Sequence, residues 1–139
     1  MRIAIVENGI VLNVCEADQA WVAKNGGVET DKAGIGWSYD GVAFTPPTPP
    51  PLTVTDITDA VQAHLDVIAR ARNYDDILSA CSYATSTHQP FASEAQALVN
   101  WRDAVWLYCY AELAKVQAGT RTMPIDTASI ISELPAAPW

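Results

Sequence analysis

Nucleophilic side chains that lie close to carboxylates are the first place where this chain could perform chemistry. Ser79, Cys81 and Ser82 follow Asp75 and Asp76 closely. A nucleophilic serine or cysteine needs a base beside it and an acid that orients the base. Nothing local supplies both partners, and no GxSxG elbow is present. The sequence therefore predicts no nucleophilic active site, and we expect a protein that is not an enzyme.

Metal and phosphate sites are not indicated either. His64 and His88 are the only histidines, and neither has a cysteine or carboxylate at metal-ligand spacing. Glycines occur at residues 25–27 and 34–36, but no GK[ST] or GxGxxG pattern follows them. We therefore expect no metal, no cofactor and no nucleotide. His64 lies beside the apolar stripe of a predicted helix. A histidine there more often has its hydrogen bonds satisfied at the edge of the core than acts as a catalytic base.

The remaining reactive groups have structural interpretations. Arg102 and Asp103 are adjacent on a narrow polar strip, which favours an ion pair in contact with solvent over a functional pair. Cys15, Cys81 and Cys109 are far apart and each has apolar neighbours. We expect them to be buried small hydrophobic residues of a protein from a reducing cytoplasm.

Composition and charge exclude several partners. Half of the 139 residues are hydrophobic, which is enough for a packed core. The net charge of −8 is spread along the chain, so nucleic acid and anionic membrane surfaces are not expected partners. Residues 7–9 interrupt the first apolar run, so we expect no signal peptide. The run from Leu98 to Leu113 is shorter than the roughly 20 residues of a membrane span and contains Arg102 and Asp103.

The patterning predicts an α+β protein with a small antiparallel β module at residues 1–45. Asn8-Gly9 tolerates the positive φ angles of a type I′ turn and predicts a first hairpin. Ile3, Ile5, Leu12 and Val14 should then share one apolar face, and Ala4, Val6 and Val11 the other. The register that follows from a two-residue loop pairs Glu7 with Ile10, Val6 with Val11, Ile5 with Leu12, and Ile3 with Val14.

Further elements of the β module follow from local signals. Asp18 can cap a short helix through Lys24 that carries Trp21 and Val22 toward the sheet. A further strand is predicted over residues 28–30.

A second hairpin is predicted over residues 37–44, with its turn at Asp40-Gly41. Tyr39 should then face Val42, and Trp37 should face Phe44. The aromatic cluster formed by Trp37, Tyr39 and Phe44 is interpreted as the core of a small sheet. A platform that binds sugars or peptides is the alternative.

Residues 46–52 form a proline-rich linker, because five prolines in six residues can neither join a sheet nor continue a helix. They favour polyproline II, a stiff spacer of about 18 Å. The pattern of residues 53–139 predicts a helical module of about three helices with an extended tail. The first helix runs from Thr53 to Arg72, capped by Thr53 or Thr55. Asp75 or Asp76 restarts a short helix, and Asp126 caps one or two turns near the end of the chain.

The longest helix is predicted from Phe91 to Lys115. Ser93 and Gln96 have the spacing of a capping box, and Gly119 is a natural stop. A surface helix usually shows one apolar stripe, but this one shows two adjoining stripes. The first contains Phe91, Ala95, Leu98, Trp101, Val105, Cys109 and Glu112, and the second contains Val99, Trp106, Tyr110 and Leu113.

This excess of apolar surface leaves two interpretations open. The helix is either a central core helix covered by its neighbours, or a helix that also packs against another chain. Tryptophan and tyrosine dominate contact energies, so Trp106, Tyr110 and Leu113 are the candidate contact residues. Trp139 is a fourth candidate, since it is either a frayed end or an anchor that docks on this chain or on a partner.

Two stretches resemble proteins of bacteriophage tails. The run AIVENGIV from Ala4, followed by GIGWSYDGVAFTPP at residues 34–47, resembles the small β module of many tail fibre and tail fibre assembly proteins. The run NYDDILSACSYA from Asn73, followed by Phe91 and ALVNWRDAVW up to Trp106, resembles a helical module from the same gene neighbourhood. These motifs determine packing, so no functional residues are carried over from the family.

The resemblance implies a virion tail component made in the host cytoplasm, or a chaperone that helps the fibre fold and trimerise. Fibres of this kind are generally trimers, and three copies could bury the second stripe. The partners implied are phage tail fibre or baseplate proteins. The alternative is a receptor- or glycan-binding module of a phage tail that uses Trp37, Tyr39 and Phe44. An enzyme acting on envelope sugars needs converging carboxylates, which the sequence does not show.

Overall fold

The computed structural model of the protein describes all residues from Met1 to Trp139. The chain divides into two compact units, Met1–Pro50 and Pro51–Trp139. The first is a five-stranded antiparallel sheet with one short helix, and the second is helical. An α+β fold with a β-rich first part and a helical second part is therefore confirmed. The division falls inside the proline run, and residues 46–53 have no regular secondary structure.

The sheet of the first unit has the strand order β3-β1-β2-β4-β5. Its elements are β1 (Arg2–Glu7), β2 (Ile10–Glu16), α1 (Gln19–Asn25), β3 (Val28–Glu29), β4 (Ser38–Tyr39) and β5 (Phe44–Thr45). Both hairpins predicted from the sequence are present, as β1–β2 and β4–β5. The short strand β3 pairs with the outer side of β1.

The first hairpin has the predicted turn but only part of the predicted register. Asn8 and Gly9 have φ angles of 51° and 77°, as a type I′ turn requires. Glu7 pairs with Ile10 and Val6 with Val11, as predicted. A bulge then shifts the register, so the predicted pairs Ile5–Leu12 and Ile3–Val14 are wrong. The observed pairs are Ile5 with Asn13, Ala4 with Val14, and Ile3 with Cys15.

The bulge changes which side chains share a face. Leu12 is left without a partner and is exposed, whereas Val14 moves to the face of Ala4. A one-residue shift moves each later side chain to the opposite face because strands alternate with a period of two. Ala4, Val6 and Val11 do share a face, as predicted, and Ala33, Trp37 and Phe44 pack there with them.

Helix α1 is capped as predicted but is packed differently. The Asp18 carboxylate accepts a hydrogen bond from the Trp21 backbone N–H at 2.8 Å. Val22 is half-buried, but Trp21 is exposed and α1 contains no buried residue. Neither of the two residues predicted to face the sheet is therefore fully buried, and Trp21 keeps 39% of its surface exposed.

The second hairpin has a longer loop than predicted. Asp40 accepts hydrogen bonds from the backbone N–H groups of Val42 and Ala43, at 2.9 and 2.8 Å. This Asx-type turn places four residues between the strands, so Tyr39 pairs with Phe44 and not with Val42. The predicted pairing of Trp37 with Phe44 is therefore also wrong.

The helical unit contains four α-helices, where about three were predicted. They are α2 (Val54–Arg70), α3 (Ile77–Ser82), α4 (Gln89–Gln117) and α5 (Thr127–Glu133), and a 3-10 turn at Tyr83–Thr85 follows α3. None of the helices combines the length and the hydropathy needed to cross a bilayer.

Local capping explains where three of these helices begin. Thr53 caps α2 in a reciprocal capping box with Asp56, which decides between the two predicted threonines. Asp76 caps α3, and Asp126 caps α5. Each of these two aspartates accepts a hydrogen bond at 2.7 Å from a backbone N–H in the first turn of its helix.

The long helix α4 begins earlier than predicted. His88 precedes its first turn without a side-chain capping bond, and Pro90 lies within that turn. Proline suits this position because its fixed φ matches the helix and its missing N–H would be unpaired there anyway. The predicted capping box of Ser93 and Gln96 is wrong, since both lie inside the helix. Gln96 instead donates to the Asn100 side chain at 3.1 Å.

The far end of α4 closes as expected at Gly119. The Gly119 N–H bonds to the Val116 carbonyl oxygen at 3.1 Å, and the Thr120 N–H bonds to that of Lys115 at 2.9 Å. These two bonds form a Schellman motif that satisfies carbonyl groups of the last turn.

The core of the helical unit is formed by one face of α2 and the central part of the first stripe of α4. The buried members from α2 are Val61, Leu65 and Ala69, and those from α4 are Leu98, Trp101 and Val105. Ile77 and Ala80 of α3 complete the core. Since the central residues of the first stripe of α4 fill this core, the second stripe of α4 must contact other segments.

Candidate functional site

The second stripe of α4 forms one wall of an apolar groove within the helical unit, which we call the α4 groove. The opposite wall comes from the first turns of α2, and the segment between α4 and α5 closes one end. The groove is lined by Val54, Ile57, Thr58, Val61, Trp106, Cys109, Tyr110, Glu112, Leu113, Val116, Arg121, Met123, Pro124 and Ile130. Its volume is about 130 Å³.

Three of the four candidate contact residues come together in this groove. Trp106 and Leu113 are half-buried along its wall, and Tyr110 lies at its rim with 67% of its surface exposed. Trp139 lies elsewhere. Its ring packs on the Arg72 guanidinium, whose central carbon is 4.4 Å from the ring centroid. The last residue of the sequence therefore docks on this chain.

The outward side of α4 carries a further apolar stripe, which was not predicted from the sequence. Ala104, Leu107, Ala111 and Ala114 are all exposed, and 68% of the Leu107 surface is in contact with solvent. We call these four residues the α4 outer stripe. Their spacing of three, four and three residues is the signal that could have revealed it. The stripe and the rim residue Tyr110 lie on neighbouring positions of the same turns.

A charged network holds one end of the groove. Arg121 bonds to the Glu112 carboxylate of α4 and, at 2.8 Å, to the Glu133 carboxylate of α5. Lys115 donates to Glu112, and the Tyr108 hydroxyl donates to Glu133, both at 2.7 Å. The sequence placed Glu112 in an apolar stripe, but its carboxylate serves as an acceptor for two cations. The network connects α4, the following segment and α5.

These contacts shift the pKa of the charged groups in the directions expected for ion pairs. Hydrogen bonds from Lys115 and then Arg121 lower the pKa of Glu112. Hydrogen bonds from Arg121 and then Tyr108 lower the pKa of Glu133. Both carboxylates are therefore ionised at neutral pH. The charges at this end of the groove are matched, so the groove itself presents mainly apolar surface.

Three comparisons with known proteins gave no match. No protein-family model matches it. No curated protein and no solved structure matches it either. The family resemblance read from the sequence therefore stays a prediction, and the function rests on what the groove and the stripe can do.

The cysteines and His64 lie in surroundings that are typical of packing residues and not of catalytic ones. All three cysteines are free and half-buried, so they are less buried than predicted. Burial raises the pKa of the Cys81 and Cys109 thiols, which keeps both protonated and weakly nucleophilic at neutral pH. His64 contacts the Trp101 ring edge-on at 5.9 Å between ring centroids. No group of three or more His, Cys, Asp or Glu side chains is placed to hold a metal ion.

The Arg102–Asp103 pair is an ion pair of 2.9 Å in which both side chains are partly exposed. This matches the interpretation of a solvent-contacting pair on a polar strip. An exposed pair of this kind contributes little to stability, on the order of 0–1 kcal/mol.

The aromatic residues of the β module are half-covered by the sheet core. Trp37 and Phe44 pack against the cluster of Ala4, Val11 and Ala33. Tyr39 stacks on Phe44 with 4.5 Å between ring centroids and 29° between ring planes. Because these rings pack against each other and against the core of the sheet, their arrangement favours a role in packing over a role as a binding platform.

Proposed function

We propose that this protein is a non-enzymatic bacteriophage tail protein that acts by association with the tail fibre. In this proposal it is a fibre subunit or a fibre assembly chaperone, made in the host cytoplasm and found at the virion tail. Its partners are tail fibre or baseplate proteins and further copies of itself, with a trimer as the favoured homo-oligomer.

One observation carries the proposal: α4 keeps apolar surface that its own chain does not cover. Leu107 and Tyr110 are each about two-thirds exposed, on a helix whose other stripe already fills the core. Large apolar side chains on neighbouring helical positions, next to an apolar groove, are typical of protein–protein contact sites. Trp106 and Tyr110 are residue types that contribute strongly to such contacts.

The size of the α4 groove favours a protein partner over a small molecule. Small-molecule sites usually have volumes of about 300–1,000 Å³. The groove has about 130 Å³, which suits one or two apolar side chains from a partner surface. The charges at the end of the groove are paired with each other, so they do not select for a charged partner. These are the charges of Arg121, Glu112 and Glu133.

Co-purification tests the association with the fibre. The protein is co-expressed with the product of the neighbouring gene, and a complex of defined mass is expected on size-exclusion chromatography. The double variant Leu107→Ser and Tyr110→Ser should abolish this complex. The variant Leu78→Ser is the matched control, because Leu78 is also largely exposed but lies on α3, outside the groove and the stripe.

Light scattering of the protein alone tests the self-association. A trimer is expected at micromolar concentration, and the double variant should become a monomer while Leu78→Ser remains a trimer. A wild-type protein that is monomeric alone and forms no complex with the fibre product contradicts the proposal.

A further inference from the structure

The proline-rich linker at residues 46–52 offers apolar surface that its own chain leaves uncovered. Residues 46–51 are all exposed, and residues 46–53 have no regular secondary structure. Residues 46–52 form no hydrogen bond with the rest of the chain. Their prolines favour polyproline II, a conformation that is already ordered and therefore loses little entropy when it binds. The linker is thus available for contact with another chain.

The α4 groove has the lining that binds polyproline II segments in other proteins. Such segments dock in grooves lined by aromatic side chains. Trp106 and Tyr110 lie one turn apart on the same side of α4, and both line the groove. The groove volume of about 130 Å³ suits one or two proline rings.

The two aromatic side chains also carry free hydrogen-bond donors. Neither the Trp106 indole N–H nor the Tyr110 hydroxyl has a hydrogen-bond partner within the chain, and neither atom is buried. Polyproline II has no internal hydrogen bonds, so its carbonyl oxygens are free to accept from such donors. The groove therefore provides both apolar contact and donors for a proline-rich segment.

Helix α4 already holds a proline-containing segment of its own chain in this manner. The Trp101 indole N–H donates to the Pro135 carbonyl oxygen at 2.8 Å. Leu134, directly before this proline, has a φ of −64° and a ψ of 151°, which are polyproline II angles. Trp106 presents the same donor in the groove, so a second tryptophan of α4 is placed to bind a second such segment.

Charge favours the linker as the occupant of the groove. Residues 41–55 contain no charged side chain. Two copies that each carry a net charge of −8 repel one another, so a contact made by an uncharged segment is opposed least. Arg121 at the end of the groove is paired with Glu112 and Glu133, so the groove requires no charge on its occupant.

We propose, on the basis of the self-association proposed above, that the α4 groove of one copy binds the proline-rich linker of a second copy. Each copy then offers one linker and one groove, which makes the contact head-to-tail. Three such contacts close into a ring around a threefold axis. The linker thereby acts as the segment that joins neighbouring copies.

Variants of the linker in the full-length protein test this contact. Every third residue of polyproline II lies on the same edge, so Pro46 and Pro49 share one edge and Pro47 and Pro50 share the next. Two double variants replace the prolines of one edge each, Pro46→Ser with Pro49→Ser and Pro47→Ser with Pro50→Ser. At least one of them should raise the concentration for half-dissociation of the oligomer about tenfold, because it loses ring contacts and pre-ordered structure. Light scattering over a concentration series measures this value.

Controls separate the loss of linker contacts from other effects. Thr48→Ser changes the linker without removing a proline, and it should leave the half-dissociation concentration unchanged. Circular dichroism should show unchanged secondary structure in all of these variants, because residues 46–51 are exposed. An excess of the synthetic peptide TPPTPPPL, which is residues 45–52, should dissociate the wild-type oligomer. The peptide TSSTSSSL should not.

Disulfide trapping tests whether the groove is the binding site. Cys109 lines the groove and is a free thiol. Pro49→Cys and Pro50→Cys each place a thiol on a different edge of the linker, and oxidation with oxidised glutathione should give covalent oligomers for at least one of them. Adding Cys109→Ser should remove these species on a non-reducing gel. Cys15 and Cys81 remain in both proteins as a shared background.

Two sets of results would overturn the linker contact and leave the proposed function intact. The first is an oligomer that Leu107→Ser with Tyr110→Ser abolishes but that neither linker double variant nor the peptide TPPTPPPL weakens. The second is a Cys109-dependent disulfide that forms only within one chain, or none at all. A wild-type protein that is monomeric in light scattering would contradict both the linker contact and the proposed self-association.

Discussion

The Trp101 indole N–H donates a hydrogen bond of 2.8 Å to the carbonyl oxygen of Pro135, 34 residues further along the chain. Trp101 is buried in the centre of α4, and Pro135 belongs to the segment after α5. Leu134 and Ala137 on either side of Pro135 pack against the same core. This bond therefore fixes the path of the last segment across the helical unit.

Replacing Trp101 should destabilise the helical unit in a graded manner. Trp101→Phe removes the donor and leaves the Pro135 carbonyl unpaired, which should cost about 1–3 kcal/mol. Trp101→Ala adds a cavity and should cost about 3–5 kcal/mol. Urea unfolding measured by circular dichroism gives both values. Trp106→Phe is the control, because Trp106 is only half-buried at the groove. If this variant loses as much stability as Trp101→Phe, the hydrogen bond from Trp101 to Pro135 does not have the proposed role.

Acid should weaken the network at the end of the α4 groove. The pKa values of Glu112 and Glu133 are lowered in the folded state by the hydrogen bonds from Lys115, Arg121 and Tyr108. A carboxylate whose folded pKa is lowered stabilises the protein above its unfolded pKa. This contribution is lost as the pH falls below the ordinary value of 4.5 and through the lowered folded value. Thermal unfolding followed from neutral to acidic pH measures the loss.

The variant Arg121→Gln isolates this network from the other carboxylates. The helix-capping aspartates Asp56 and Asp126 also have lowered pKa values and contribute to acid sensitivity in both proteins. Without Arg121 the melting temperature at neutral pH should be lower and should fall less steeply in acid. An identical pH dependence in the two proteins would show that the network does not contribute.

Two adjacent glycines of the β module should respond differently to alanine. Both have positive φ angles, 79° for Gly26 and 126° for Gly27. A Cβ atom on Gly26 meets nothing, so Gly26→Ala should cost about 1–2 kcal/mol through backbone strain. A Cβ atom on Gly27 would overlap the side chain of the fully buried Ile3. Gly27→Ala should therefore cost clearly more than Gly26→Ala in chemical unfolding, and equal losses would contradict the close approach.

The start of α2 provides a prediction with a neighbouring control. Thr53 accepts a hydrogen bond from the Asp56 N–H at 3.1 Å, and Asp56 accepts one from the Thr53 N–H at 2.8 Å. Thr53→Ala should cost about 1 kcal/mol because one of the free N–H groups of the helix start loses its acceptor. Thr55→Ala, inside the exposed first turn, should change stability by less than about 0.5 kcal/mol. Thermal unfolding compares the stability of the two variants. A larger loss for Thr55→Ala than for Thr53→Ala would show that Thr53 is not the cap of α2.

Local signals in the sequence were sufficient for most element boundaries. Thr53, Asp76 and Asp126 each cap the helix for which they were candidates, and Asn8-Gly9 forms the predicted turn. Each of these features depends on hydrogen bonds between residues two or three positions apart, so it can be read without knowing the fold. The predicted start of α4 at Phe91 is two residues too late, because Pro90 fits the first turn of a helix and does not end the segment before it.

The strand registers and the candidate site depended on distant contacts. Leu12 is bulged out and Tyr39 pairs with Phe44, and neither follows from alternation alone. The sequence indicated that α4 has too much apolar surface for its own neighbours, and it named Trp106, Tyr110 and Leu113. It did not indicate that α2 and the segment after α4 meet these residues in one groove.

The sequence by itself therefore determined the α+β class, the division at the prolines and the caps of α1, α2, α3 and α5, because short-range hydrogen bonding and periodicity decide them. Only the tertiary structure decided that Leu98, Trp101 and Val105 of the first stripe are covered, that Leu107 and Tyr110 are exposed, and that Trp139 docks on Arg72. The physical reason is that exposure depends on which segments pack together from opposite ends of the unit. No local pattern contains that information.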